Sequence, residues 1–411
     1  MLTSEMLLNE AQALAPEITR LRRTLHRCAG TGFDTEDTVK LVSDELDALG
    51  LAPRRCGRAG LVALVGGKRP GPVFLLRADM DALPIAEESG VDFAAQNGKM
   101  HACGHDMHTA RLLGAARLLK THDDELCGTV KLMFQSAEET FEGAGDMIAH
   151  GLLEDPKPDA ALMLHVMAGM PFAPGTAIVS APGVSAPAAD YFDITVRGRG
   201  CHGSMPNNGV DPLTAAAHIL LALEQINARE LAMGERAVLT VGTLHAGTAA
   251  NAIADSAVLG GTLRTFSEQT RTFVKQRLTD IAAGIAAALR AEATVTFGTG
   301  CPTLVNDADL SACAGRYVRE LLGPERAFTV AELNAAGGGA SGSAGSEDFA
   351  YVSQAVPSVM LALAAGQPEQ GYRWPQHHPK VRFDEAALPA GAAVYAYCAV
   401  RWLAEHVLKN Q

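Results

Sequence analysis

The segment from Met100 to Ala110, MHACGHDMHTA, concentrates side chains that can bind a metal ion. It contains three histidines, one cysteine and one aspartate. Histidine is the commonest metal ligand in proteins, and the thiolate of Cys103, two positions from the imidazole of His105, can converge with it on one ion. Clusters of this kind also occur as solvated polar turns. The rest of the sequence therefore has to decide between a metal site and a loop.

Further possible ligands follow short apolar runs that are typical of buried strands. VFLL precedes Asp79 and Asp81, VKLMF precedes Glu138 and Glu139, and ALML precedes His165. Open α/β sheets place their sites at the carboxyl ends of strands, so these side chains are expected to meet. The alternative is that they only mark where strands run out into solvent.

The candidate ligands are more numerous than one catalytic zinc ion uses, because such an ion normally takes three protein ligands and a water. Two ions that share a bridging group would use all of them and suit hydrolysis, since both ions lower the pKa of a shared water. Glu138 would then remain to act as general base and acid. The candidate ligands are Cys103, His105, Glu139, His165 and one of His377 or His378.

The elements that position these residues alternate between helix and strand. Helical periodicity covers residues 4–26, 38–49 and about 107–120, and apolar runs predict strands at 61–65, 73–76, 130–134 and 160–164. This alternation predicts an α/β fold with a largely parallel sheet.

From about residue 186 the pattern changes to strand, helix, two strands, helix and strand, which is the ferredoxin-like βαββαβ order. We therefore predict a discontinuous α/β catalytic domain that comprises residues 1–185 and 303–411, and an inserted α+β domain at 186–302. The Gly-rich segment AAGGGASGSAGSEDF, residues 335–349, is predicted to be a loop.

Composition excludes several classes of function. The chain has 411 residues, of which 48% are hydrophobic and 19% charged, as expected for a globular protein. Its net charge of -12 argues against nucleic acid or an anionic membrane as a partner. The N-terminus carries early acidic residues and no apolar core of a secretory signal, so a cytoplasmic location is expected. The eight cysteines lack the regular spacing of a disulfide framework.

Six motifs resemble those of one family in the same order along nearly the whole chain: MHACGHDMHTA, FQSAEE, the His165 segment, GCHGSMPNNGVDP, SEDF and HHP. The sequence is similar to peptidase family M20, the aminoacylase and carboxypeptidase type of metallopeptidase. It is most similar to subfamily D, the amidohydrolase branch that includes hippurate hydrolases and indoleacetyl-amino-acid hydrolases. The resemblance implies a di-metal hydrolase with an inserted lid or dimerisation domain.

The resemblance also implies roles for individual residues. Two divalent ions per subunit, Zn²⁺ or Mn²⁺, would be bound, with Cys103 at a position that is a bridging aspartate elsewhere in the family. Glu138 would be the general base, and Asp79 would support the site from behind the ligands. His377 is preferred over His378 because the family ligand stands two residues before a proline, here Pro379. The implied ligands are Cys103, His105, Glu139, His165 and His377.

In the inserted domain, His202 of GCHGSMP matches a family histidine that stabilises the oxyanion, commonly from the partner subunit. Asn251 and Arg264 match positions that contact the polar groups of the substrate, and a guanidinium suits a carboxylate. The resemblance thus also implies a homodimer or higher homo-oligomer. The chain departs from the family in HRCAGTGFDTEDT, in QSAEE for QPAEE and in NAIAD for NVIPD, which affects turns near the cleft.

The expected activity is hydrolysis of the amide bond of a small N-acyl or N-aroyl amino acid to a carboxylate and a free amino acid. A dipeptidase or carboxypeptidase, a deaminating hydrolase of the same chemistry and a non-catalytic binding protein stay open as alternatives. The signatures of a zinc deaminase, a serine hydrolase with a G-x-S-x-G turn and an H-E-x-x-H protease are absent from the sequence.

Overall fold

The computed structural model describes residues 2–335 and 345–407. Residues 336–344 of the Gly-rich segment that is predicted to be a loop lie outside the described residues. Within the described chain two compact units form, one from residues 2–185, 305–335 and 348–407 and the other from 186–304 and 345–347.

In the described residues the α-helices are α1 (Ser4–Ala13), α2 (Ala15–Arg27), α3 (Glu36–Ala48), α4 (His105–Thr121), α5 (Gly143–Ala149), α6 (Pro212–Gln225), α7 (Glu268–Ala288), α8 (Ala308–Leu322), α9 (Val330–Ala335), α10 (Ala350–Ser353) and α11 (Leu388–His406). The strands are β1 (Arg54–Cys56), β2 (Gly60–Gly66), β3 (Arg69–Asp79), β4 (Cys127–Gln135), β5 (Ala160–Met167), β6 (Ala177–Val179), β7 (Gly183–Ala186), β8 (Ala188–Arg197), β9 (Cys201–His202), β10 (Ala237–Ala246), β11 (Ala252–Ile253), β12 (Ser256–Thr265), β13 (Glu292–Cys301), β14 (Leu304–Asn306), β15 (Ala327–Thr329) and β16 (Ser358–Ala364).

The first unit is built on an eight-stranded sheet in the order β1-β2-β4-β3-β5-β16-β6-β15. Its centre is parallel, because β4, β3, β5 and β16 all pair in the same direction. β1 and β2 pair antiparallel at one side, and so do β16 and β6. The α/β class is therefore confirmed, and the sheet is mixed around a parallel centre whose strands are buried on both faces.

Helix α4 runs through the core and is buried on nearly every side, and its buried residues include the polar side chains of His105, Asp106 and His108 near its start. It begins at His105, two residues before the predicted start at 107. Gly104 precedes it with φ of 93°, and a Cβ there would lie 2.5 Å from Cγ2 of Val166. Only glycine fits this sharp turn, which places Cys103 in the loop and His105 in the first helical turn.

The N-terminal helix predicted over residues 4–26 is two helices, α1 and α2, which meet at Leu14. Pro16 lies in the first turn of α2. Proline has no backbone N–H and is compatible with a first helical turn but not with a helix interior, which explains the break.

The second unit contains a four-stranded antiparallel sheet in the order β10-β12-β8-β13. Helices α6 and α7 pack with the inward residues of β8 and β12 in one apolar cluster. The chain order is βαββαβ, and the spatial order of the strands is that of a ferredoxin-like fold, as the sequence pattern predicts.

No helix among the described residues combines the length and the apolar character needed to cross a membrane.

The side chain of Tyr395 on α11 ties two central strands together. Its hydroxyl donates to the carbonyl oxygen of Arg77 on β3 at 2.6 Å and accepts from the N–H of Leu164 on β5 at 3.2 Å. The residue is fully buried. Both strands carry candidate site residues at their carboxyl ends, so this hydroxyl helps to fix their spacing.

We expect Tyr395→Phe to destabilise the first unit by about 1 to 3 kcal/mol, because a buried backbone group loses its partner. Tyr397→Phe on the same helix is the matched control, since its hydroxyl contacts the partly exposed Glu320 and Arg401 and should cost less. Calorimetric unfolding of both variants measures the difference. Equal losses of stability in the two variants would contradict the role given to Tyr395.

Candidate metal centre

The candidate ligands gather at the carboxyl edge of the parallel strands. Asp79 is the last residue of β3, His165 lies near the end of β5, and Glu138 and Glu139 follow β4. The loop before α4 brings Cys103 to the same edge. This is the edge at which open α/β sheets bind their ligands.

The thiol of Cys103 stands between two pairs of possible ligands. With His105 and His165 it forms one group whose ligand atoms all lie within 4.8 Å of one another, and with Glu139 and His377 it forms a second group of the same size. A thiolate shared by two such groups can bridge two divalent ions. The five residues that the sequence nominates are thus brought together.

The two buried histidines of the first group are oriented in the same way. Nδ1 of His105 lies 2.9 Å from the carbonyl oxygen of Asp81, and Nδ1 of His165 lies 2.7 Å from that of Val166. A carbonyl only accepts, so each Nδ1 carries a proton, and Nε2 is the nitrogen left to bind an ion. A hydrogen bond of this kind usually fixes the ring of a metal-binding histidine.

Two buried atoms at the site lack a hydrogen-bond partner among the described residues, Nε2 of His105 and Oε1 of Glu139. Burying two such polar atoms without partners costs free energy, unless a cation binds to both. The distance between them is 3.9 Å. The donor set of thiol, imidazole and carboxylate, together with these two atoms, fits a site for divalent ions.

The electrostatics of the site also favour the binding of a positively charged ion. Burial, with the charge of Glu139, raises the pKa of the Cys103 thiol to about 12. Burial, with Asp81 and Asp79, raises the pKa of Glu139 to about 7. Burial lowers the pKa of His105, but Asp79, Cys103 and Asp81 together more than offset this and hold it well above its ordinary value. Without an ion the cluster retains protons, and a divalent cation would supply the charge in their place.

Asp81 holds the backbone of the two adjacent glutamates. One carboxylate oxygen accepts from the N–H of Glu138 and the other from the N–H of Glu139, both at 3.1 Å. Ala137, just before them, has φ of 61°, a left-handed conformation that costs free energy for a residue with a Cβ. The carboxylate of Asp81 therefore stabilises a strained turn from which both glutamate side chains approach Nε2 of His105, Glu138 to 3.8 Å and Glu139 to 3.9 Å.

Asp79 is held from behind by two side chains. Arg77 donates to one of its oxygens at 2.7 Å, and Nδ1 of His108 bonds the other. Nε2 of His108 accepts from the N–H of Val166 at 2.9 Å, so its proton lies on Nδ1 and is donated to Asp79. Both nitrogens of His108 are used, which leaves neither for a metal ion. Burial raises the pKa of Asp79, but Arg77, His105 and His108 together more than offset this and hold it well below its usual range.

The first turn of α4 is anchored to α2 by a buried ionic network. Oδ2 of Asp106 lies 2.7 Å from Nε of Arg22 and 2.7 Å from Nδ1 of His26. Nε2 of His26 in turn bonds Glu87 at 3.0 Å. Burial lowers the pKa of His26, but the flanking carboxylates outweigh it and raise the value. Asp106 thus supports the position of the helix rather than contributing a ligand.

The structure distinguishes His377 from His378. Nε2 of His377 lies 3.5 Å from Oε1 of Glu139, and the residue has φ of 66°. Its backbone N–H donates to the carbonyl oxygen of Ala102 at 3.0 Å, which holds it beside the loop of Cys103. His378 stacks on the ring of Trp374 at 4.2 Å and is not in any of the candidate ligand groups. The geometry therefore favours His377 as the ligand.

In the second unit, two candidate site residues that the sequence indicates, His202 and Asn251, lie side by side. His202 on β9 pairs with Ala252 on β11, and the N–H of Gly203 donates to the carbonyl oxygen of Asn251 at 2.8 Å. Both His202 and Asn251 are exposed. Arg264 lies on β12, where its guanidinium donates to the hydroxyl of Ser346 at 2.5 Å.

Three residues that shape the site carry more weight than sequence reasoning assigned to them. The sequence pattern marks Asp81 only as a carboxylate that follows a buried strand, and it assigns no definite role to His108 or Arg77. The alternation RADMD after a buried strand signals two carboxylates on one side of the chain. An arginine that directly follows an apolar strand, two residues before a carboxylate, is a sequence signal for a buried ion pair, here that of Arg77 with Asp79.

Comparisons with known proteins show the family to which the chain is similar. The family description Peptidase family M20/M25/M40 matches residues 75–401. The chain is 36% identical to IAA-amino acid hydrolase ILR1-like 2 of Arabidopsis thaliana, over 97% of this chain and 89% of the relative. It is 34% identical to N-acetyl-L-cysteine deacetylase of Bacillus subtilis, over 91% and 85%. A solved dinuclear metal-binding peptidase of Bacillus subtilis superposes with a TM-score of 0.77 at 30% identity, covering 96% of this chain and 100% of that one.

Adding Zn²⁺ or Mn²⁺ to metal-free protein is expected to raise its thermal midpoint, since binding at 100 times the Kd contributes about 2.7 kcal/mol per site. Cys103→Ser should lose most of this gain and bind less metal by elemental analysis. Cys127→Ser, at the opposite end of the sheet on β4, is the control and should behave as wild type. Full metal content in Cys103→Ser would refute the bridging thiolate.

Asp81→Asn should lower metal affinity by about 10- to 100-fold, because its NH₂ group faces a backbone N–H and the turn before Glu139 loosens. Asp159→Asn is the matched control, since this carboxylate also accepts a backbone N–H, that of Val73 at 2.8 Å, at the other end of the strands. Metal titrations followed by calorimetry compare the two. Similar affinities in both variants would argue against the role of Asp81.

Proposed function

This chain belongs to peptidase family M20/M25/M40, and on that premise we propose that it is a metal-dependent amidohydrolase that cleaves N-acyl or N-aroyl amino acids. The products are a carboxylate and a free amino acid. The named relatives support this substrate class, because one acts on IAA-amino acids and the other on N-acetyl-L-cysteine.

The observation that carries the proposal is the convergence of four candidate ligands on the thiol of Cys103, beside the further carboxylate of Glu138. Oε2 of Glu138 lies 3.8 Å from Nε2 of His105. Glu138 is 6% exposed, so it lies in a setting that largely excludes water. A general base has to stand within reach of the reacting atoms, and such a carboxylate fits that place.

The two ions, when bound to Cys103, His105, Glu139, His165 and His377, would polarise the amide carbonyl and acidify a water molecule. Glu138 would accept a proton from the attacking water and deliver it to the leaving nitrogen as the C–N bond breaks. Asp81 keeps the Glu138 backbone in place during both transfers. Asp79 holds negative charge beside His105, whose Nε2 lies 3.4 Å from its carboxylate.

For the second unit we propose the roles of a substrate-binding lid and dimerisation domain. His202 would donate to the oxyanion that forms during attack, and such a donor can contribute about 3 kcal/mol. Asn251 would contact a polar group of the substrate, and Arg264 would bind its free carboxylate through the planar guanidinium. The domain limits at 186–302 and the homo-oligomeric state form part of this proposal.

We further propose zinc or manganese as the resident metal and the cytoplasm as the site of action. A thiolate ligand favours zinc, while imidazole and carboxylate accept either metal.

The test is a panel of N-acetyl, N-benzoyl and N-indoleacetyl amino acids, assayed beside dipeptides with metal-loaded protein. We expect turnover of one or more of the acyl amino acids. Turnover of dipeptides alone would select a peptidase instead, and turnover of no amide would refute hydrolysis.

Glu138→Gln should lower kcat by about 10²- to 10⁴-fold with the metal content retained, because the amide has the same shape but does not accept a proton. Glu142→Gln is the control, since this exposed carboxylate lies on the same segment. An unchanged kcat in Glu138→Gln would exclude Glu138 as the base.

A further inference from the structure

The imidazole of His202 receives two hydrogen bonds at one nitrogen. Its Nδ1 lies 2.8 Å from the hydroxyl oxygen of Ser204 and 3.2 Å from the backbone nitrogen of the same residue. The turn that makes this possible is close-packed, because a Cβ at Gly203 would lie 2.8 Å from the carbonyl oxygen of Asn251. Ser204 therefore meets His202 through both its side chain and its backbone.

These contacts decide which ring nitrogen carries the proton. A backbone N–H only donates, so Nδ1 has to be the acceptor, and a proton there would point at the N–H of Ser204. The hydroxyl, which can rotate, then donates to Nδ1 as well. The proton of the neutral imidazole consequently lies on Nε2, the nitrogen at the far side of the ring.

We propose that Ser204 is a positioning residue that holds His202 in the Nε2–H tautomer, so that a neutral N–H donor is ready for the developing oxyanion. This inference rests on the proposed function, in which His202 supplies that donor. An oxyanion is stabilised by donors that are oriented before the reaction, because no reorganisation is then needed during attack. A ring in the other tautomer would present a lone pair to the negative charge.

The test combines NMR with kinetics on metal-loaded protein. Nitrogen-15 labelling of histidine reports the tautomer directly, and the His202 signals are identified by their loss in His202→Gln. Ser204→Ala keeps the backbone N–H but loses the hydroxyl donor, so we expect a smaller fraction of the Nε2–H tautomer and a kcat lower by about 3- to 10-fold, the effect of one hydrogen bond, with KM unchanged. Ser204→Thr keeps the hydroxyl and should restore both values.

Ser256→Ala, an exposed serine on β12, is the control and should match wild type in both readouts. An unchanged tautomer in Ser204→Ala would overturn the proposal, and so would a changed tautomer with a wild-type kcat. Failure of the proposed function looks different, because wild-type protein would then turn over no amide at all. In that case the NMR measurement alone still decides whether Ser204 sets the tautomer.

Discussion

The ion pair between Arg77 and Asp79 is the contact on which the candidate metal centre depends. Neither side chain is exposed to solvent, and the two lie 2.7 Å apart. A buried carboxylate without a partner would cost several kcal/mol, so the strand that carries Asp79 needs this guanidinium. Arg77 also donates to Gln135 at the end of β4 and to Asp348. One cation thereby holds together the chain segments whose carboxyl ends form the site.

Hydrogen bonds that involve the backbone then fix the turns that carry the candidate ligands. The turns at Ala137 and His377 both have positive φ, which is unfavourable for residues that carry a Cβ. Each is offset by specific hydrogen bonds: the N–H groups of the two glutamates after Ala137 donate to Asp81, and the N–H of His377 donates to the carbonyl oxygen of Ala102. Strain of this kind persists only where the surroundings over-determine the conformation. The ligand geometry thus relies on groups that never need to touch an ion.

Much of this could be predicted from sequence because it rests on residue types and order. Apolar runs followed by carboxylates or imidazoles indicate the α/β class, and Pro16 could have located the break between α1 and α2. The antiparallel pairings at the sides of the sheet leave no comparable trace, since a buried strand has the same composition in either direction. The role of Asp81 was equally hidden, because accepting two backbone N–H groups requires a turn whose shape only the fold defines. The metal roles of the five ligands stay predictions that the geometry supports.

The histidines show why spacing alone could not assign the ligands. His105 and His108 lie three residues apart on the same side of α4, so either could have faced an ion. The difference arises from the partner of one ring nitrogen. His105 meets a carbonyl oxygen, which leaves Nε2 to bind an ion, whereas His108 meets the N–H of Val166 and donates from Nδ1 to Asp79. The neighbouring strand β5 supplies that N–H one residue after His165, so the same segment that contributes one ligand withdraws another histidine from the metal.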